Sequence, residues 1–191
     1  AAWLLRKLSD KNLLLSFPLF ENLVTDSIFF EDNFAFQMFG FQHIAAILFF
    51  AGVGYVVISW AKKRSEKMQI QLGKIMAFVI CLTLIAWTAS KIYLHGFHIK
   101  EDLPLHLCNI ISILLPIFAY TRKRWMYEIL IFWILAGTSQ AMITPDLAHG
   151  FPHYHYLKYW IVHAGLVIFI LYATVIFKMR PTVKSIFKSF L

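Results

Sequence analysis

"FQHIAAILFFAGVGYVVISWA", residues 41–61, runs its full length without a charged side chain. The hydrocarbon core of a bilayer is about 30 Å thick and takes about 20 helical residues to cross, so this stretch reads as a transmembrane helix. A single span in lipid must satisfy its own backbone hydrogen bonds, which only a helix does. Four further apolar segments follow, at about 71–94, 103–120, 125–144 and 157–177, each near the length a crossing needs. Composition agrees: 60% of the 191 residues are hydrophobic and 15% are charged, against about 25% charged in a soluble domain. The expected fold is all-α, a polytopic transmembrane helical bundle with five spans.

The flanks differ in character. Residues 1–40 mix Arg6, Lys7, Lys11, Glu21, Asp26, Glu31 and Asp32 with Phe and Leu, and read as an amphipathic, interfacial segment. They lack the clean apolar core and small-residue end of a cleavable leader, so the first span is expected to direct membrane insertion. Residues 41–177 form the bundle. Residues 178–191, "KMRPTVKSIFKSFL", are either a basic segment on the cytoplasmic interface or the start of a sixth helix. No Gly/Ser linker, low-complexity tract or internal repeat divides the chain.

The formal net charge is +8, and its placement points away from nucleic acid. Lys62, Lys63, Arg64, Lys67 and Lys74 surround the first connection, Arg122, Lys123 and Arg124 fill the third, and Lys178, Arg180, Lys184 and Lys188 follow the fifth span. The second connection has Lys91 and Lys100 nearby, and the fourth has Lys158. The positive-inside rule then puts the N-terminus and the second and fourth connections outside and the C-terminus in the cytoplasm. The same cations meet anionic headgroups.

With that topology all eight histidines fall toward the outer side: His43, His95, His98, His106, His149, His153, His155 and His163. At about 1.5 Å per helical residue, Cys108 is expected roughly 7 Å deep and His163 roughly 9 Å. Gln140 and Ser90 are each expected roughly 6 Å deep. Polar groups at such depth face the bundle interior or a wet cavity and are functional candidates; interhelical hydrogen bonding is the plainer role. Cys81 is expected to be a small core residue. It lies roughly 12 Å from the level of Cys108, beyond the roughly 7 Å that a disulfide tolerates.

A thiol with a pKa near 8.5 is only a few per cent thiolate at neutral pH, and a neighbouring imidazole makes it a competent nucleophile. His106, two residues from Cys108, lies on the opposite side of a helix, so His163 is the better base. Asp102 and His106 are four apart and share a helical face, a supporting or substrate-orienting pair. Asn109 has an amide for a carbonyl oxygen or the imidazole. In the fourth connection, Pro145 is expected to end the fourth helix at Thr144, leaving Asp146, His149, His153 and His155 in a short outward loop. Imidazole suits zinc, copper and iron, so His95, His98, His149, His153 and His155 form an alternative metal set, although no spacing matches a strict zinc signature.

"LPLHLCNI" at 103–110 and "AGTSQAMITPDLAHGFPHYHYLKYWIVHAG" at 136–165 resemble the YwaF-like family of integral membrane proteins. The resemblance covers roughly residues 36–180, with those two motifs specific and the remainder mainly hydropathy. A mammalian transmembrane member of that family is an acyltransferase that remodels ether phospholipids through a cysteine thioester. The resemblance implies that Cys108 is the acyl-accepting cysteine and His163 the histidine that activates it. Asn109, Gln140, Asp146, His149 and His155 fall on other motif positions. The family usually has six helices, the last ending in a polar motif that this sequence lacks.

The expected function is therefore lipid acyl transfer or acyl hydrolysis through a thioester. The expected partner is a membrane phospholipid or lysophospholipid, and no cofactor is called for. The expected location is the bacterial plasma membrane with the active side extracytoplasmic. Three other classes stay open: a histidine-rich metal- or cofactor-binding membrane protein, a small transporter, and a structural or assembly protein. Against the transporter, no inverted repeat or Gly/Pro-broken helix at mid-membrane is visible.

Overall fold

The computed structural model describes residues 35–95 and 106–189, with backbone alone at 93–95, 187 and 188. Residues 1–34 of the interfacial segment expected at 1–40, together with His98, Asp102 and the side chain of His95, lie outside the described residues. The described chain is helical: α1 Phe41–Ala61, α2 Glu66–His95, α3 Leu107–Thr121, α4 Arg124–Ile143, α5 Tyr154–Val175 and α6 Val183–Lys188. Four of these, α1, α2, α4 and α5, are long and apolar enough to cross a membrane. The all-helical polytopic bundle is as expected, with one shortfall. At 15 residues, α3 is about 22 Å long, less than a full hydrocarbon core.

Helix starts moved for a physical reason. Hydropathy marks only the apolar part of a helix, whereas its hydrogen-bond ladder continues through polar turns. So α2 begins at Glu66 and α5 at Tyr154, several residues before the expected apolar starts at 71 and 157. At α3 the shift is opposite. His106 is extended (φ −63°, ψ 137°) and caps a helix that begins at Leu107. Pro145 behaves as expected, with α4 ending at Ile143 and Thr144 as its C-cap.

The bundle is organised around α5, which packs against α1, α2, α3 and α4. Val162, Ala164, Leu166, Phe169, Ile170 and Ala173 are all buried within it. Close approach depends on small residues, which let membrane helices pack without bulk between them. A Cβ added at Gly165 would lie 3.0 Å from Ile80 of α2, and one at Gly54 of α1 would lie 3.0 Å from Ile168.

Tyrosines then pin α5 to its neighbours by donating to backbone carbonyls. Tyr156 reaches Gln42 at 2.9 Å, Tyr159 reaches Ala141 of α4 at 2.6 Å, and Tyr172 reaches Gln69 of α2 at 2.7 Å. Such interhelical bonds contribute roughly 0.6–2 kcal/mol each.

Midway along, α4 is irregular. Trp133–Thr138 is π-helical between α-helical turns Arg124–Phe132 and Ser139–Ile143. The sequence reading expected no broken helix, since a π-turn carries no proline and only Gly137 to betray it. This turn packs against α3 and α5, and a Cβ on Gly137 would touch Leu107 at 3.3 Å, next to Cys108. π-bulges recur at functional sites.

Before α1, the chain is tied to the α4–α5 connection. Ala35 bridges His149, and Phe36 N–H donates to Ala148 at 3.0 Å. After α5, the C-terminal segment folds against α4: Trp133 Nε1 donates to the Ser189 carbonyl at 2.9 Å.

Candidate functional site

Cys108 and Cys81 are both free thiols, and both are half-buried, so Cys81 is not the core residue expected. Cys108 is the second residue of α3, about 1.5 Å past the helix start. In this first turn the backbone N–H groups of Cys108 and Asn109 face Sγ. Helix N-termini present such unpaired donors and favour negative charge. Asn109 Oδ1 lies 3.8 Å from Sγ, within reach of the thiol hydrogen. Ser112 stabilises the same turn by donating to the Cys108 carbonyl at 2.7 Å.

Across from the thiol stands α5. Lys158 and Tyr159 are within electrostatic reach of Cys108, and His163 lies one helical turn below Tyr159. The depth argument placed His163 level with Cys108. With α5 starting at Tyr154, His163 lies about 14 Å along that helix, and Lys158 and Tyr159 occupy the preceding turn. No described hydrogen bond joins Cys108 to His163; their link runs through the Tyr159 turn.

His163 is buried and its Nδ1 is 2.8 Å from the Tyr159 carbonyl. A carbonyl only accepts, so Nδ1 carries the hydrogen and Nε2 keeps the lone pair. The Tyr159 ring stacks on the imidazole at 4.1 Å and 29°. His43 is the contrast. Its Nδ1 accepts from Phe39 N–H at 3.0 Å and its Nε2 faces the Met142 carbonyl at 2.9 Å. Both nitrogens are occupied, and His43 is fully buried: it is a strut between the entry to α1 and the end of α4.

The remaining expected site residues divide. His155 is half-buried at the start of α5 and stacks on Trp87 of α2, 5.0 Å apart at 11°. Lys158 Nζ lies 5.8 Å from the same indole and within electrostatic reach of His155 and His163. His106 is an exposed N-cap of extended backbone with no side-chain capping bond, and its expected partner Asp102 lies outside the described residues. Gln140 is exposed and donates to Thr144 at 3.5 Å on its own helix. Ser90 donates to the Ala86 carbonyl at 2.8 Å, likewise within its own helix.

Asp146 is exposed, and its backbone N–H faces the Tyr159 hydroxyl. His153 caps α5, its Nδ1 accepting from His155 N–H at 3.1 Å, and its ring stacks on His149 at 4.2 Å. Among the described residues, no three His, Cys, Asp or Glu side chains gather as a metal-binding group. Of the alternative metal set, His149 and His153 stack on each other beside His155, and His98 and the His95 side chain lie outside the described residues.

Sequence reasoning missed Lys158, Tyr159 and Trp87. The signal for Lys158 was present, since it is an ionisable residue inside a span, but it was read as topology alone. Tyr159 and Trp87 gave none, because aromatic residues are ordinary in such helices.

The model of the TMEM164 family matches residues 38–191. No curated protein and no solved structure matches the chain.

Proposed function

The chain belongs to the TMEM164 family of membrane proteins, and we propose that within the membrane it transfers or hydrolyses lipid acyl groups, with Cys108 as nucleophile. The observation that carries this reading is the setting of Cys108. A free, half-buried thiol sits in the first turn of a short apolar helix, with two backbone donors at its sulfur, and the helix packed against it carries Tyr159 within electrostatic reach of the thiol and, one turn further on, His163, whose Nε2 keeps its lone pair. The resemblance of residues 103–110 and 136–165 to the YwaF-like family supports the same assignment.

In the proposed reaction the Cys108 sulfur attacks the ester carbonyl of a phospholipid while its proton passes to His163 Nε2. Approach of the two groups accompanies substrate entry, as catalytic hydrogen bonds often tighten only in the complex. The tetrahedral oxyanion forms beside the Cys108 and Asn109 N–H groups and the Asn109 amide, the donors such an intermediate needs. Collapse expels the lysolipid alkoxide, which takes the proton back from His163, and leaves a thioester on Cys108. A second lysolipid hydroxyl then attacks the thioester in transfer, or water does so in hydrolysis. His163 serves as base in this second half and returns the proton to sulfur. The site lies at the extracytoplasmic end of the bundle, opposite the basic connections, in a plasma membrane.

The test is intact-protein mass spectrometry of purified wild type and Cys108→Ala after incubation with mixed phospholipids. An acyl adduct on wild type alone, removed by hydroxylamine, is the expected result. Lipid turnover undiminished in folded Cys108→Ala refutes the mechanism.

A further inference from the structure

We propose that a cavity at the basic end of the bundle, remote from Cys108, binds a phosphate group between Arg122 and Lys178, and that this phosphate does not belong to the ester that reacts at the thiol. The site stands apart from the acyl-transfer reading and does not rest on it.

The cavity measures about 670 Å³ and lies where α2 begins and α3 and α5 end, lined among others by Glu66, Gln69, Thr121, Arg122, Phe177 and Lys178. Arg122 is the C-cap of α3 and Lys178 follows α5, and both have left-handed backbone, with φ of 49° and 55°. Glycine usually fills that conformation at a helix end, because a Cβ is disfavoured there. The chain instead places a cation at each. A cation near a helix C-terminus interacts favourably with the carbonyl dipoles; that accounts for one charge at each end, but not for both lining one cavity.

The wall that carries them is fixed. The Arg122 guanidinium lies 6.0 Å from the Phe177 ring. That ring packs edge-on against Tyr172 at 5.4 Å, and a Cβ added at Gly73 would lie 2.9 Å from it. Across the cavity, the Gln69 carbonyl accepts from the Tyr172 hydroxyl at 2.7 Å, and Gln69 Nε2 donates to the Ala61 and Arg64 carbonyls at 3.0 and 3.2 Å. Glu66 carries the opposite charge. It forms no described ion pair with Arg122 or Lys178; the described pair is Arg124–Glu128. Two cations against one carboxylate leave the lining net positive.

A guanidinium fork and a separate ammonium suit an anion with oxygens on several sides, which is phosphate. Basic pockets between membrane helices on the cytoplasmic side take phosphorylated headgroups, and the positive-inside rule puts this end there. Arg122 follows Cys108 by fourteen residues, about 21 Å along α3. In a glycerophospholipid only the glycerol backbone separates the phosphate from the acyl esters. A phosphate held at Arg122 therefore keeps its own esters far from the thiol.

The experiment uses the full chain in detergent and native mass spectrometry to read bound lipid. The probes are a dialkyl phosphatidic acid, whose ether-linked chains offer no acyl ester, and the dialkylglycerol with the same chains. The expected result is a preference of at least about tenfold for the phosphate-bearing lipid, the scale of a charge-assisted hydrogen bond. That preference is lost in the double variant Arg122→Gln, Lys178→Gln. It is retained in Lys62→Gln, Lys63→Gln, which removes the same charge from the first connection, outside the cavity. Arg122→Gly, Lys178→Gly repeats the test with residues that suit left-handed backbone, should the glutamine variant not fold. Glycerol 3-phosphate at equal concentration separates the sources: displacement of the lipid assigns the site to a soluble phosphate ester, and failure to displace assigns it to a lipid-borne one. Three results overturn the proposal: no preference in wild type, an equal loss in both glutamine pairs, or a preference that survives loss of Arg122 and Lys178 while the denaturation midpoint falls, as caps alone would give.

Discussion

Tyr159 and His163 are joined twice: their rings stack at 4.1 Å, and the Tyr159 carbonyl holds His163 Nδ1 at 2.8 Å. One turn of helix thereby fixes both the tilt of the imidazole and its tautomer. The hydroxyl of the same tyrosine is anchored on Ala141 of α4 at 2.6 Å. The orientation of His163 is thus set by α4 as well as by its own helix.

Replacing His163 by Gln removes the lone-pair nitrogen while keeping a side chain able to hydrogen-bond. Thioester formation should fall about 10²-fold or more, the usual share of general base catalysis. Alkylation of Cys108 by iodoacetamide should slow as well. Unchanged thioester kinetics in a folded His163→Gln protein would remove His163 from the mechanism.

Tyr159→Phe keeps the stacked ring and deletes the hydroxyl, with its bond to the Ala141 carbonyl and its contact with the Asp146 N–H. The expected cost is about 1 kcal/mol of stability, read as a lowered denaturation midpoint in detergent. Lipid turnover should fall several-fold at most, because Nδ1 of His163 remains on the backbone carbonyl.

His43→Leu tests the strut. It leaves the Phe39 N–H and the Met142 carbonyl without their partner, an expected loss of roughly 2–4 kcal/mol. Activity per folded molecule should persist, since neither nitrogen of His43 is free for chemistry. Thermal unfolding and a turnover assay on the folded fraction separate these two effects.

Gln140→Ala should change neither stability nor turnover by more than about 0.5 kcal/mol, as for exposed positions in general. Its side chain is exposed and bonded within α4. A large loss of turnover would show that Gln140 meets substrate, as its motif position suggested.

Gly165→Val drives a branched side chain into Ile80, whose carbon would lie 3.0 Å from the new Cβ. Overpacking of this kind costs about 1–3 kcal/mol. The measurement is the denaturation midpoint, and an unchanged value would mean that α2 and α5 separate at little cost.

Hydropathy and charge in the sequence determined the membrane class, the helical bundle and the approximate place of each helix, because apolar length and backbone hydrogen bonding in lipid allow one solution. Residues 41–61 were legible to the residue for that reason, with charge-bearing polar segments close on either side. Cys108 also stood out, as a thiol among polar neighbours in an apolar run. What the tertiary structure alone decided is which polar groups meet. Helical depth counted from hydropathy carries an error of several residues at each helix start, and a shift of three or four residues moves a group by a full turn. Lys158 and Tyr159, within electrostatic reach of Cys108, gave no sign in the sequence of that proximity, and Gln140 stands exposed and bonded within its own helix. The two functions of histidine were equally hidden. His43 and His163 are alike in sequence, each a lone imidazole in an apolar helix, and only their partners make one a strut with both nitrogens bound and leave the other with its Nδ1 on the Tyr159 carbonyl.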